Sequence, residues 1–127
     1  MVSNQSVTDS PATPAVEARG ISKSFGGVRA LDAVDFDVSW GEVHALLGEN
    51  GAGKTTLCNI FAGIYRADDG GVLVDGVIHD FRNPSQAIDG GIGMVHQHFR
   101  LVETMTVAEN IHLGWPETPK IISQAKL

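Results

Sequence analysis

The stretch from Val43 to Ile64 limits most strongly how this chain can fold. A short apolar run, Val43-His-Ala-Leu-Leu47, gives way to a loop with glycine at 48, 51 and 53. Lys54, Thr55 and Thr56 follow, and then a segment in which Leu57, Ile60, Phe61 and Ile64 recur at helical spacing. A nearly continuous apolar run fits a strand covered on both faces, as in a parallel sheet between helices. The recurrence after the loop fits a helix with one apolar face. Strand, glycine loop and helix in that order make the middle of the chain an α/β unit.

The loop itself, Gly48-Glu-Asn-Gly-Ala-Gly-Lys-Thr-Thr56, satisfies G-x-x-x-x-G-K-[ST] in full. Each residue type has a reason to be there. Gly48, Gly51 and Gly53 let the backbone wrap closely, so that several N–H groups point at phosphate oxygens. The helix N-terminus adds its dipole to the same anion site. Lys54 is a mobile cation that reaches β and γ phosphates, Thr55 offers a hydroxyl to Mg²⁺, and Thr56 stands for an α- or β-phosphate oxygen. The cradle read this way comprises Gly48, Asn50, Gly51, Ala52, Gly53, Lys54, Thr55 and Thr56, and takes a nucleotide's phosphates with Mg²⁺. Such a loop names no reaction, because small-molecule kinases, GTPases, helicases and transport ATPases all use it. The NKxD element by which GTPases read guanine is missing from this sequence.

Composition bounds the surroundings. The 127 residues are one ordinary domain's worth, with 43% hydrophobic and 19% charged residues, a globular balance. A net charge of −6 speaks against a chain whose main work is holding nucleic-acid phosphates, so no nucleic-acid partner is expected. No apolar run approaches the roughly 18 residues of a membrane span. The single cysteine, Cys58, excludes an internal disulfide and a multi-cysteine zinc site, and its place after the loop predicts a small packed residue. His96 and His98 alternate along one segment, but a metal site needs about three convergent ligands.

Along the chain, residues 1–16 are rich in Ser, Thr and Pro without apolar period and read as a disordered tail. They have neither the basic start nor the apolar core of a secretory signal, which points to the cytoplasm. Order is expected from about Glu17. Val34, Phe36 and Val38 alternate with polar residues as a half-buried strand, and Trp40-Gly41-Glu42 is a tight turn. Asp68 to Gly71 read as turn residues. Val72–Val74 and Val77–Phe81 flank Asp75-Gly76, a hairpin signal. Pro84 to Ala87 reads as a helix start, Met94-Val95 as a further apolar strand, and Thr106 as the N-cap of a helix running to Leu113.

Three further segments resemble the nucleotide-binding subunit of ABC transporters. Gly20-Ile-Ser-Lys-Ser-Phe-Gly-Gly-Val-Arg-Ala-Leu31 is similar to that family's first strand and aromatic loop. Phe25 stands where the family stacks an aromatic ring on adenine. Ile92-Gly-Met-Val-His-Gln-His-Phe-Arg-Leu-Val-Glu-Thr-Met-Thr-Val-Ala-Glu-Asn-Ile-His-Leu113 resembles the Q-loop region. Gln97 falls at the glutamine that meets Mg²⁺ and the attacking water, a task suited to an amide that can accept and donate at once. Thr56 to Asp80 resembles the family's helix and antiparallel hairpin. The wording His-Gln-His-Phe and Thr-Val-Ala-Glu-Asn-Ile is similar to ATPases of simple-sugar and nucleoside importers.

The resemblance implies an α/β, P-loop NTPase core with an antiparallel β subdomain, N-terminal portion only. Residues 17–127 then hold the elements from the phosphate loop to the Q-loop, ahead of the signature motif and the Walker B strand. It implies ATP binding, with ATP hydrolysis in the full-length protein, catalytic roles for Lys54 and Gln97, and Mg²⁺ held by Thr55 and Gln97. Expected partners are transmembrane permease subunits, a second ATPase domain in a head-to-tail dimer and, indirectly, a substrate-binding protein. The expected place is the cytoplasm, peripheral on the inner face of the cell membrane, with Arg100 and Glu103 either solvated or facing the permease. Val72-Leu-Val-Asp75 mimics a Walker B strand, but precedes Gln97 and is followed by glycine, so it reads as the hairpin. Turnover of ATP by this chain alone is not expected, and open sheet edges should leave it poorly soluble or partly folded. The alternatives are a non-catalytic nucleotide-binding module and a soluble ABC-type ATPase of translation or DNA repair.

Overall fold

The computed structural model describes residues 13–96 and 101–113. They fall in two units divided between Met94 and Val95.

In the first unit Val16–Phe25 (β1) and Val28–Val38 (β2) form a long hairpin. Gly26 and Gly27 turn it, both with positive φ, the two-residue turn that matches strand twist. Asp69–Val74 (β3) and Val77–His79 (β4) extend the sheet on the other edge of β1, in the order β2-β1-β3-β4, every pairing antiparallel. The register sets Val16 between Val38 and Val74, and the Ala15 amide donates to the Val38 carbonyl, so Ala15 and Val16, read as the end of the tail, belong to the sheet because both flanking strands offer them partners. It shifts between Ala18 and Ile21, and this irregularity lets two residues three apart both reach the core. Val34, Phe36 and Val38 are half-buried while Asp35 and Asp37 are exposed, the expected alternation. Asp75 and Gly76, at φ 50° and 76°, make the tight turn from β3 to β4, so Asp75 is a turn residue.

Lys54–Phe61 (α1) lays Leu57 and Ile60 onto the sheet. With Ala18, Ile21, Leu31, Val72, Phe81 and Ala87 they form the core, in which Ile21 is wholly buried. Burying each Leu or Ile side chain contributes about 1.5–3 kcal/mol. The helix is shorter than its apolar period predicts. Gly63, at φ 67°, turns the chain out of it, so Ile64 lies beyond the helix and is exposed. Cys58 is exposed too, a correction to its expected packing: it sits one residue after Leu57 and so off the helix's buried stripe. Asp69, Gly70 and Gly71 belong to β3 rather than to a turn, because a glycine at 70 lets the strand close against the backbone of Arg19 and Gly20. Pro84–Asp89 (α2) starts as read, with the Asn83 side chain accepting from the Gln86 amide and Pro84 in the first turn.

Two expected strands do not form. Val43 to Leu47 has no strand pairing, and Val43 and Leu47 are 99% and 88% exposed. Met94 and Val95 are likewise outside any strand. A strand buried on both faces takes its hydrogen bonds from neighbours on each side. Among the described residues the only sheet is the antiparallel one, so the apolar run at 43–47 finds no ladder to join.

In the second unit Val107–His112 (α3) begins at Thr106, the expected N-cap. The Thr106 hydroxyl accepts from the Glu109 amide while the Glu109 carboxylate accepts from the Thr106 amide, a complete capping box.

Candidate functional site

The loop from Gly48 to Gly53 enters α1 through Gly53, at φ 85°. A Cβ at position 53 would lie 2.7 Å from the Ala30 carbonyl oxygen and 2.7 Å from Leu31 Cδ2. Glycine is required there for conformation and for space together, and that contact seats the start of the helix on β2. Gly51 is left-handed as well, at φ 88°. The Ala52 amide donates to the Glu49 carbonyl at 3.2 Å and closes the loop into a turn. Gly53 has no side chain to cap the helix. The first amides of a helix lack intrahelical acceptors, so the opening turn of α1 presents N–H groups and the positive end of its dipole.

Lys54 is half-buried, and its ammonium donates to the carbonyl oxygens of Gly48 at 2.6 Å and Glu49 at 2.7 Å. The cation is thus held over the loop by the loop's own backbone. A Cβ at Gly48 would sit 3.3 Å from Ala52 Cβ and 3.7 Å from the Lys54 ammonium, so that side is kept open by the missing side chain. Thr55 is exposed and Thr56 half-buried at the same helix end. Donor amides, one cation, two hydroxyls and a space that a side chain would fill suit a polyphosphate with its magnesium. Asn50 and Ala52 are exposed within this loop.

Phe25 ends β1 and is 41% exposed. Its ring meets Tyr65 edge-on at 5.2 Å, and the Lys23 ammonium stands 5.5 Å from its centroid. Lys23 is in turn paired with Asp68 at 2.6 Å, while the other Asp68 oxygen accepts from the Ser24 amide at 2.7 Å. The Lys23 ammonium, chiefly, and that amide hold the Asp68 carboxyl below its ordinary range. Tyr65 and Asp68 also line a cleft of about 470 Å³ between the loop after α1 and the β3–β4 hairpin, apart from residues 48–56. Sequence reasoning singled out Phe25 but missed Lys23, Tyr65 and Asp68. Their signal is three-dimensional, since Asp68 lies 45 residues from Lys23.

Gln97, His98 and Arg100 lie outside the described residues. His96 and Glu103 are exposed. In the second unit Asn110 was also missed. Its side chain accepts from the Val102 amide at 2.8 Å and donates to the carbonyls of Val102, Met105 and Thr106. With the Glu109 capping box, it gives a physical role to the Glu-Asn pair in the Thr-Val-Ala-Glu-Asn-Ile wording. Leu101, Val102, Met105, Val107 and Ile111 line an apolar cleft of about 450 Å³. No helix among the described residues is long and apolar enough to cross a membrane.

A glycine loop that opens onto a helix N-terminus, with lysine as the helix's first residue, is the arrangement of a P-loop protein. The chain belongs to the ABC transporter family, whose pattern it matches over residues 31–127. It is 55% identical over 101 residues to a ribose import ATP-binding protein of Rubrobacter xylanophilus, covering 80% of this chain and 20% of that one. It is 52% identical over 99 residues to a guanosine import ATP-binding protein of Bacillus subtilis, covering 78% of this chain and 19% of that one. Among solved structures, a dimeric ATP-binding cassette in a post-hydrolysis state, bound to ADP and Pi, matches with a TM-score of 0.65 and 27% identity. That match covers 77% of this chain and 45% of the other. The chain therefore spans about a fifth of the length of the curated relatives it matches.

Proposed function

We propose that the chain from β1 onward is the N-terminal part of an ABC transporter's nucleotide-binding domain, preceded by a tail that ends before Ala15, and that this part cradles Mg-ATP. The observation that carries the reading is the loop geometry: left-handed Gly51 and Gly53, the uncapped start of α1, and the Lys54 ammonium poised over the loop. Gly48, Asn50, Gly51, Ala52, Gly53, Lys54, Thr55 and Thr56 would line the phosphates, and Thr55 would present its hydroxyl to magnesium. Lys54 exchanges its two backbone carbonyls for phosphate oxygens, a gain because hydrogen bonds between charged partners are the stronger kind. Phe25 receives the adenine, and Gln97 offers its amide to magnesium and water. ATP supplies the phosphoanhydride to be cleaved; this chain binds and orients, the part of phosphoryl transfer that is positioning and charge.

In the full-length protein the same domain hydrolyses ATP, pairs head-to-tail with a second ATPase domain and drives import through transmembrane permease subunits, with a substrate-binding protein as indirect partner. It works in the cytoplasm, on the inner face of the cell membrane. The solute class is a simple sugar or nucleoside, supported by the names of the ribose and guanosine relatives. The test is titration of the chain with Mg-ATP. Weak saturable binding is expected, falling about tenfold or more in Lys54→Ala, which is ~1.4 kcal/mol, with no steady-state phosphate release. Binding unaffected by Lys54→Ala would refute the cradle, and turnover sensitive to Lys54→Ala would refute the purely binding role.

A further inference from the structure

We propose that Lys23, Asp68 and Tyr65 form a brace that fixes the Phe25 ring as the platform for the nucleotide's base. The proposal deepens the reading of the loop as a nucleotide cradle and rests on it.

Phe25 stands at a strand end, paired with Val28 across the Gly26-Gly27 turn, and its ring is 41% exposed. Two side chains hold that ring. Tyr65 meets the ring with the planes inclined at 65°, and Lys23 brings its ammonium to 5.5 Å from the ring centroid. A lysine in this role must itself be held, because its four-carbon stem is otherwise free. Here the side chain is only 16% exposed and the ammonium is paired with Asp68 at 2.6 Å. Asp68 then does more than balance the charge. Its second carboxylate oxygen accepts from the Ser24 amide, and its own amide donates to the Ser22 carbonyl at 2.8 Å. One residue thus grips β1 at 22, 23 and 24, the three positions that lead into Phe25.

Tyr65 and Asp68 sit in one short segment, just after the helix whose first turn carries Lys54, Thr55 and Thr56. The base platform and the phosphate end are therefore tied to the same piece of chain. A preset ring spares the ordering cost that a swinging one would impose on binding.

Separating base from phosphate tests the proposal. Mg-ATP and Mg-tripolyphosphate are titrated against the full chain and against Phe25→Ala, Lys23→Met, Lys23→Arg, Asp68→Asn and Tyr65→Leu. Asp68→Asn keeps an acceptor for the Ser24 amide and removes the charge that anchors Lys23. Lys23→Met, Asp68→Asn and Tyr65→Leu are expected to weaken Mg-ATP about three- to tenfold, and Phe25→Ala at least as much, with tripolyphosphate affinity unchanged. Lys23→Arg keeps most of the affinity, and Phe25→Ala combined with Lys23→Met is no weaker than Phe25→Ala alone, since both act through one ring. Brace variants that bind Mg-ATP like wild type, while Phe25→Ala does not, overturn the brace and leave the cradle standing. Equal losses for both ligands also overturn it, by showing general damage to the fold. No effect of Phe25→Ala removes the platform and the brace with it. A wild-type chain that binds neither ligand overturns the cradle reading itself.

Discussion

Gly53 answers two demands at one position. Its φ of 85° lies where L residues pay strain, and its missing side chain leaves room for the Ala30 carbonyl. Gly53→Ala is expected to lose about 1–3 kcal/mol of stability, measured by urea unfolding, and to weaken phosphate binding because the start of α1 must shift. Substitution at Gly51, whose surroundings are open, retains only the conformational cost. This difference could not be read from the sequence, where both glycines belong to one pattern. The motif shows that the loop needs glycine; the contact with β2, made by residues more than twenty positions earlier, decides which glycine cannot be replaced. The motif alone assigns Lys54 to phosphate as an expectation. That it rests on the carbonyls of Gly48 and Glu49 was not legible, because that pairing depends on the loop's path in space.

At the scale of elements, α3 and α1 differ in what holds them. The start of α3 is held by side chains within a few residues. The Thr106 amide, first, and its hydroxyl hold the Glu109 carboxyl below the usual carboxylate range. The sign follows: a lowered folded value means the stabilisation is fully present above Glu109's unfolded pKa, about 4.3. It is lost as pH falls through the lowered folded value. Exchange protection of the Thr106 amide is therefore expected to be steady from neutral pH down to that range and to fall below it. Asn110→Ala should release the Val102–Thr106 loop, seen as faster exchange at Val102. α1, in contrast, depends on distant strands, and Leu57→Ala should cost about 2–5 kcal/mol by opening a hole against β2 and the core. The same distinction explains what was legible. The hairpin at Asp75-Gly76, the helix start at Pro84 and the Thr106 cap have local signals and were readable; the Gly26-Gly27 turn and the Asn83 cap carry equally local signals but were passed over. The run at Val43–Leu47 carries a strand's pattern, but a strand exists only with a neighbour, and no periodicity supplies one.

Across the whole molecule, order is uneven around the candidate site. The Gly53 end of the loop is seated on the sheet through Ala30 and Leu31. The Gly48 end continues from the Val43–Leu47 run, which pairs with no strand and is held to the core through Leu46, with Val43 and Leu47 exposed. A polyphosphate that contacts amides along the whole loop binds the folded arrangement in preference to the unfolded chain. By mass action it should raise the midpoint of thermal unfolding. Differential scanning fluorimetry is expected to show a rise with Mg-ATP that scales with its concentration and is absent in Lys54→Ala. Exposed apolar side chains at 43, 47 and 78 also make the free chain prone to self-association. Leu47→Lys should raise the concentration at which it stays monodisperse, read by light scattering.

The different seating of the two ends has a mechanical consequence. The loop is a latch pinned by backbone contact at Gly53, whose Gly48 end is held by side chains, Leu46 packed on the core just before it and the Lys54 ammonium on its carbonyl, so a strand that docked beside Val43–Leu47 would fix that end through backbone as well. Docking of that strand and capture of the anion would then each make the other easier, and the tightness of the grip would report how completely the surrounding sheet had assembled.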